Sequence, residues 1–363
     1  MRNASQIERE LLSPPGDTIQ ETIDVLGMSQ AELAERMGRP KEKVNDIIKG
    51  REPVSTATAF QLEKVLGIPA GFWINREKEY RKALYEIEQK ESYIQNNAWL
   101  QNFPVTQMKK LGWLPQATEK HILVDAILSF FGVASPEEWK RIYVDEEVSV
   151  AFRISLAHTQ NPYAISAWLR MGELEAQKLN LALYNKKLFK ESLEKVKQLA
   201  FEFPEDFAAK LQTICATAGV AVVYTPNLPK APVSGASRWF HNRPLIQLSG
   251  RYKTDDHFWF TFFHEAGHIL EHGKKDIFLE NVAGTETDLK KEEEADRFAA
   301  KCLLKESEWT EILENAPYTE SQLITFAQKF KTPVSAIIGR LQHQGLIAHS
   351  SGNHLRRKIE LFG

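Results

Sequence analysis

Apolar residues recur three and four positions apart along most of the chain, which is the spacing of one face of an α-helix. Between residues 19 and 84 the helical segments are short and end at glycines, namely Gly27, Gly38, Gly50 and Gly67. Residues 90–200 keep the helical spacing and show few strand signals. This pattern predicts an N-terminal bundle of short helices followed by a helical connector.

The pattern changes after Pro204, where β-branched runs alternate with turn signals. Residues 220–224 form an apolar run typical of a buried strand, and residues 233–240 and 245–248 are two further strand candidates. The turn between these two is expected at residues 241–244. Helical spacing returns from Phe258 onward, so we expect a fold that is mainly α with a small α+β part.

These changes divide the 363 residues into four segments with different expected architectures. The segments are a helical bundle over residues 19–84, a helical connector over 90–200, an α+β domain over 205–310 and a helical C-terminal tail over 311–363.

Composition limits the classes of protein to which the chain can belong. Hydrophobic residues make up 43% and charged residues 26%, which is ordinary for a soluble protein. The two cysteines, Cys215 and Cys302, lie in apolar helical patterns and cannot build a disulfide framework. No apolar run approaches the roughly 20 residues that cross a bilayer, and the N-terminus lacks the apolar core of a signal peptide. We therefore expect a cytoplasmic protein with no membrane partner.

The N-terminal segment combines a helix-turn-helix pattern with a local excess of positive charge. Ser29 and Glu32 have the spacing of a capping box, and the helix that they begin stops at Gly38. A second helix is expected from Pro40 to Gly50. Although the net charge of the chain is −2, residues 36–51 hold six basic residues against two acidic ones.

The second of these helices is the one expected to read the major groove of DNA. The residues directed toward the bases would then be Lys41, Lys43 and Asn45, and those near phosphates Arg39, Lys49 and Arg51. The alternative is a helical interaction domain that does not contact DNA, because Glu42 and Asp46 reduce the positive charge of the reading helix.

A possible metal site begins with a His-Glu-x-x-His sequence, residues 264–268, inside an apolar helical stretch. Histidines four residues apart on a helix share one face, so His264 and His268 can bind the same Zn²⁺ ion. Glu265 projects beside the metal rather than onto it, where it can take a proton from water and pass it to a leaving amine. This spacing predicts a zinc-dependent hydrolase.

Catalytic zinc usually has three protein ligands, and the third is expected among three consecutive glutamates at residues 292–294. Glu292 shares a helix face with the small residues Ala295 and Ala299, which would let two helices approach closely. Glu293 pairs with Arg297 at helical spacing, and Glu294 lies over Phe298 and Lys301.

We therefore favour Glu292 as the third ligand and expect Asp296, one turn later, to orient a ligating imidazole. The alternative is a solvated acidic surface, which is what most such charge runs form.

Other ligand patterns fit the chain less well. His272 follows His268 by four residues, but three histidines at this spacing span about 12 Å of helix axis, which is too far for one ion. We expect His272 to be a neighbour on the same helix face. The metzincin pattern needs glycine at 271 and histidine at 274, where the chain has Glu271 and Lys274, so that class is excluded. For the group that stabilises a tetrahedral oxyanion, three candidates stay open: Tyr252, Arg238 and His257.

The sequence His264–His268, together with residues 292–304, resembles the ImmA/IrrE family of metallo-endopeptidases. The aromatic stretch at residues 251–260 resembles members of that family that are fused to helix-turn-helix domains. Over residues 205–310 the resemblance implies a gluzincin-like fold, zinc held by His264, His268 and Glu292, and Glu265 as the catalytic base. The family often continues with Met-Pro where this chain has Lys305-Glu306, so the local structure there can differ.

Residues 19–83 resemble the HigA-like branch of the XRE helix-turn-helix family, above all in residues 67–75. This resemblance implies binding to operator-type DNA as a homodimer. Together the two resemblances imply a DNA-binding transcriptional regulator with a zinc endopeptidase domain that cleaves a protein partner, such as a helix-turn-helix repressor. The alternative is a HigA-like antitoxin or regulator whose zinc domain senses a ligand or is catalytically silent.

Overall fold

The computed structural model describes residues 4–144, 161–273, 278–279 and 286–362. The chain divides into two compact units. The first comprises Met1–Ala98 with Glu119–Val124, and the second comprises Trp99–Thr118 with Asp125–Gly363. Residues 145–160 of the predicted connector lie outside the described residues.

The first unit is built from short helices around one apolar core. Its helices are α1 (Ala4–Glu10), α2 (Pro15–Val25), α3 (Gln30–Met37), α4 (Lys41–Ile48), α5 (Thr56–Leu66) and the longer α6 (Ala70–Gln95). The Ser29 side chain accepts a hydrogen bond from the Glu32 backbone and caps α3, which ends at Gly38 in the left-handed conformation. The helix-turn-helix expected from the sequence is therefore formed by α3 and α4, and the core that supports it contains Ile19, Leu33, Val44, Leu62 and Trp73.

The helices that follow extend through the rest of the chain. They are α7 (Asn97–Leu100), α8 (Val105–Lys110), α9 (Lys120–Phe131), α10 (Pro136–Tyr143), α11 (Pro162–Gln177), α12 (Lys186–Glu202), α13 (Phe207–Thr217), α14 (Asp255–Glu271), α15 (Glu286–Leu303), α16 (Glu306–Leu313), α17 (Glu320–Phe330) and α18 (Val334–His343), with a 3-10 turn at Asn353–Leu355. None of the described helices combines the length and the apolar character needed to cross a bilayer.

A small mixed sheet interrupts these helices, with strands β1 (Ala221–Tyr224), β2 (Gly235–Phe240), β3 (Arg243–Leu248) and β4 (Phe278–Leu279). Their order is β1-β3-β2-β4, with β1 parallel to β3 and the other pairs antiparallel. The β2–β3 hairpin turns at His241 and Asn242, which both have positive φ as a two-residue hairpin turn requires. The mainly α fold with a small α+β part is thus confirmed. The two-residue strand β4 was not predicted, since it is too short to show an alternating pattern.

The two faces of the sheet pack against different helices. Val222, Ile246 and Leu248 point into the large core that also contains Trp259 and Phe262 of α14. Gln247 points the other way, where its amide donates to the Trp168 carbonyl oxygen of α11 at 2.7 Å. The face with Ile246 therefore supports α14, the helix that carries the His-Glu-x-x-His sequence.

The C-terminal residues fold back onto the start of α14. The Asp255 backbone donates to the Arg357 carbonyl oxygen at 3.0 Å, and the Arg357 backbone donates to the Asp255 carboxylate at 3.0 Å. The Arg356 guanidinium lies 2.9 Å from the Asp256 carboxylate, and Ile359 joins the large core. The first turn of α14 is therefore held by both hydrogen bonds and ion pairs.

We predict that Gly16→Ala destabilises the first unit, because a Cβ built at Gly16 lies 1.9 Å from the carbonyl oxygen of Ile48 at the end of α4. Overpacking of this kind costs about 1–3 kcal/mol. Thermal unfolding of the full chain, followed by circular dichroism, measures the change. Gly71→Ala is the matched control, since a Cβ there meets nothing within 4 Å and the helix should gain up to about 1 kcal/mol. Equal stability of the two variants would contradict the close packing.

Candidate metal centre and nucleic-acid interface

Helix α14 carries the three residues of the predicted motif into the protein interior. His264 and His268 are 3% and 2% exposed, and Glu265 is fully buried. The helix begins after Thr254 in extended backbone, and Asp255 and Asp256 place negative charge in its first turn, which the helix dipole favours. Spacing of i and i+4 then puts both imidazoles on one face.

Helix α15 brings a carboxylate to the same point. The Glu292 oxygens lie 3.0 Å from His264 Nε2 and 3.3 Å from His268 Nε2, and the two Nε2 atoms are 2.9 Å apart. A tetrahedral zinc ion with bonds of about 2.0–2.1 Å separates its ligand atoms by roughly 3.3–3.4 Å. Two imidazoles and one carboxylate at these distances therefore fit a metal ion, and the three residues form a group that could hold one.

Small residues allow the two helices to approach. Ala295 and Ala299 of α15 are buried, as expected from their position on the face of Glu292. On α14, a Cβ built at Gly267 would lie 3.1 Å from the Phe298 ring, which is already a tight contact. The glycine inside the motif therefore leaves room for the Phe298 ring of the neighbouring helix.

The second ring nitrogen of each histidine also has a partner. His264 Nδ1 is 2.9 Å from the Asp296 carboxylate, the arrangement that the sequence predicted for Asp296. His268 Nδ1 is 2.9 Å from His272 Nδ1, and His272 Nε2 is 3.1 Å from the Glu294 carboxylate. From the sequence, only neighbouring positions on the two helices were predicted for His272 and Glu294. The spacing of one further helical turn after His268 was the available signal.

The three candidate metal ligands, His264, His268 and Glu292, differ in their protonation. Burial acts to lower the pKa of His264, but hydrogen bonds to Asp296 and Glu292 outweigh it and raise the pKa to about 11. Burial dominates at His268 and lowers its pKa to about 4. Burial acts to raise the pKa of Glu292, but the bonds to the two histidines lower it to about 2. The carboxylate is thus ionised, His268 is neutral, and a cation would displace the proton of His264.

Glu265 lies against the sheet rather than among the three candidate ligand atoms. A Cβ built at Gly235, the first residue of β2, would stand 2.9 Å from Glu265 Oε1 and 2.6 Å from the Thr261 methyl group. A glycine at this position therefore leaves the space that the buried carboxyl group fills. The need for a glycine here links Gly235, the first residue of β2, to Glu265, the helix residue next to His264.

The three candidates for oxyanion stabilisation lie in different places. Arg238 is on the sheet face opposite α14, and its guanidinium donates to the Leu169 carbonyl oxygen at 2.7 Å and to Gln247 Oε1 at 3.1 Å. Its described hydrogen bonds are therefore directed away from the sheet face that supports α14. The Tyr252 and His257 rings stack with centroids 4.4 Å apart and line a small cavity with Thr261. His257 precedes His264 by seven residues, about 10 Å along the same helix face.

The helix-turn-helix surface holds the predicted DNA-contacting residues on and around α4. Lys41, Lys43, Lys49 and Arg51 are exposed, while Asn45 and Arg39 are partly buried. Three of the cations have partners within the protein. Lys43 lies 2.8 Å from Glu52, Arg51 lies 2.5 Å from Asp46, and Arg39 donates to Gln61 at 2.6 Å. The charge reduction by Asp46 was predicted from the sequence, whereas the pairing of Lys43 with Glu52, which follows the helix, was not.

Comparisons with known proteins match two family models, in the same order along the chain as the helix-turn-helix and the candidate metal centre. Residues 25–73 match the helix-turn-helix family model, and residues 215–342 match the model of the IrrE N-terminal-like domain in the peptidase M78 family. A search of the curated proteins finds no match to the chain.

Solved structures similar to part of the chain include three antidote or antitoxin proteins. They are a protein described as an antidote of a plasmid maintenance system from Nostoc punctiforme (27% identity, TM-score 0.22), a HigA-family addiction module antidote from Coxiella burnetii (24%, 0.21) and the Pseudomonas aeruginosa antitoxin HigA with the higBA promoter (26%, 0.20). They cover 22%, 22% and 24% of this chain, and 89%, 89% and 87% of their own chains. From the two family models we conclude that this chain carries an XRE-type helix-turn-helix domain followed by an IrrE-like domain of the peptidase M78 family.

Proposed function

We propose that the protein is a zinc-dependent endopeptidase that cleaves a protein partner and is directed to DNA by its helix-turn-helix domain. The observation that carries the proposal is the convergence of His264, His268 and Glu292, with Glu265 buried beside them. Two imidazoles and one carboxylate form a ligand set used by catalytic zinc, which keeps its fourth position for water or substrate. Zinc is therefore the metal that we propose.

Each residue of the centre has a separate task in this proposal. A zinc ion held there would polarise a peptide carbonyl and make water acidic enough to lose a proton near neutral pH. Glu265 accepts that proton as water attacks the carbonyl carbon and then delivers it to the leaving amine. Asp296 fixes the orientation of His264 through its Nδ1. Burial of Glu265 keeps bulk water away from the transferred proton.

The helix-turn-helix domain suggests where the peptidase acts. Helix α4 exposes Lys41 and Lys43 at its start, and Asn45 lies one turn further along. This arrangement fits a helix in the major groove, with Lys49 and Arg51 near phosphates. We propose that the chain binds an operator-type duplex as a homodimer in the cytoplasm and that its substrate is a helix-turn-helix repressor.

The metal site is tested by zinc content. We expect the purified wild-type protein to hold about one equivalent of zinc, as a three-ligand site would. His264→Ala, His268→Ala and Glu292→Gln should each lose it, because two remaining ligands bind weakly. Elemental analysis of the dialysed proteins measures the content. The control is His343→Ala, which removes an exposed histidine at the end of α18. Retention of zinc by His264→Ala would refute the assignment of the ligands.

Catalysis is tested by Glu265→Gln, which preserves shape and removes the proton acceptor. We expect zinc to stay bound while proteolysis falls by roughly 10²–10⁴-fold. Quantitative profiling of protein N-termini in cells that produce the wild type or the variant identifies cleavage products. Glu271→Gln, at the exposed end of α14, is the matched control and should behave as the wild type. If wild type and Glu265→Gln give the same N-termini, the zinc domain is a sensor or is catalytically silent.

DNA binding is tested with a duplex selected from a random library by the wild-type protein. Lys49→Ala should weaken binding to all sequences and reduce the salt slope by about 1, whereas Asn45→Ala should lose about 1–3 kcal/mol of discrimination at one base pair. Fluorescence anisotropy measures both effects. Lys78→Ala, an exposed position on α6, serves as the control. No enrichment of any duplex would favour the alternative of a helical interaction domain.

A further inference from the structure

We infer that His272 and Glu294 are positioning residues for the metal centre and that they set the ring orientation of His268. This inference rests on the proposed function. The described contacts of these two residues lie behind His268, on the side away from Glu292. These contacts form a hydrogen-bonded series that runs from the candidate metal site to the protein surface.

In this hydrogen-bonded series, each bond can be given one donor and one acceptor. His268 Nε2 faces Glu292 Oε1 at 3.3 Å, so a ligating His268 keeps Nε2 for the metal and carries its proton on Nδ1. That Nδ1–H donates to His272 Nδ1 at 2.9 Å. His272 then carries its own proton on Nε2 and donates it to the Glu294 carboxylate at 3.1 Å. One tautomer of each histidine therefore satisfies both hydrogen bonds.

The end of α14 makes this contact possible. His272 follows the last residue of the helix, and its backbone is extended with φ −111° and ψ 172°. Its backbone N–H still donates to the His268 carbonyl oxygen at 3.1 Å, so the residue stays close to the last turn. Because the chain leaves the helix here, the imidazole of His272 can reach the back of the His268 ring. The helix spacing that prevents His272 from sharing the ion does not prevent this second role.

Burial supports a positioning role for the pair. The His268 and His272 side chains are 1% and 5% exposed, so water cannot easily replace the bond between them. Glu294 is 38% exposed and belongs to α15, the helix that also supplies Glu292 and Asp296. Helix α15 thus fixes His264 directly through Asp296 and His268 indirectly through Glu294 and His272. Partners of this type raise the basicity of a ligating imidazole and hold its ring in place.

The experiment measures zinc affinity by competition with a chromophoric chelator, using the full chain. We expect His272→Ala to weaken zinc binding by about 10–100-fold and Glu294→Gln to weaken it less, since the amide oxygen still accepts a hydrogen bond. His272→Gln should restore part of the affinity, because its amide can both accept and donate. The matched control is Glu293→Gln, an exposed neighbour on the same helix that should bind zinc as the wild type does.

A spectroscopic measurement separates positioning from general destabilisation. In the Co²⁺-substituted proteins we expect the visible absorption bands to shift in His272→Ala and to stay unchanged in Glu293→Gln, while thermal unfolding of the metal-free variants remains that of the wild type. Equal zinc affinity and equal spectra for wild type and His272→Ala would overturn this inference alone. A wild-type chain that binds no zinc would overturn the proposed function and, with it, this inference.

Discussion

Helices α14 and α15 lie close enough for two imidazoles from one helix and a carboxylate from the other to converge on one point. This approach is possible because the contact surface is built from small residues, with Gly267 against Phe298 and buried alanines on the face of Glu292. A Cβ at Gly267 would lie 3.1 Å from the Phe298 ring, so this ring would have to shift to make room for a side chain. The rest of the candidate site depends on this contact.

Bringing these groups together buries charge, and the structure offsets that cost with specific partners. His264 faces two carboxylates, and its raised pKa reflects their combined field against the effect of burial. His268 has one carboxylate at its Nε2, and burial lowers its pKa and keeps it neutral. A divalent cation would replace the proton between these groups and would be a suitable counter-ion for an ionised Glu292 beside two imidazoles.

The sheet and the C-terminal residues support α14 in different ways. The sheet supports α14 with one face and binds α11 through Gln247 and Arg238 with the other. Gly235 leaves room for Glu265, and the C-terminal residues secure the first turn of α14 through Asp255 and Asp256. The position of the buried glutamate is therefore set by a strand and by the chain end as well as by its own helix.

The sequence alone determined most of the helices and strands and the place of the His-Glu-x-x-His pattern on a helix, because helical spacing, capping residues and short motifs are local properties. The structure places carboxylate oxygens of Glu292 and Asp296 within 3.0 Å of His264. Helical spacing predicted that Glu292, rather than Glu293, and Asp296 face the histidines. It could not show that Glu294 meets His272, that Arg238 lies on the far face of the sheet, or that Lys43 and Arg51 pair with Glu52 and Asp46. Those contacts join residues from different elements or from a turn beyond the helix, so only the tertiary structure decides them, through the packing of one element against another.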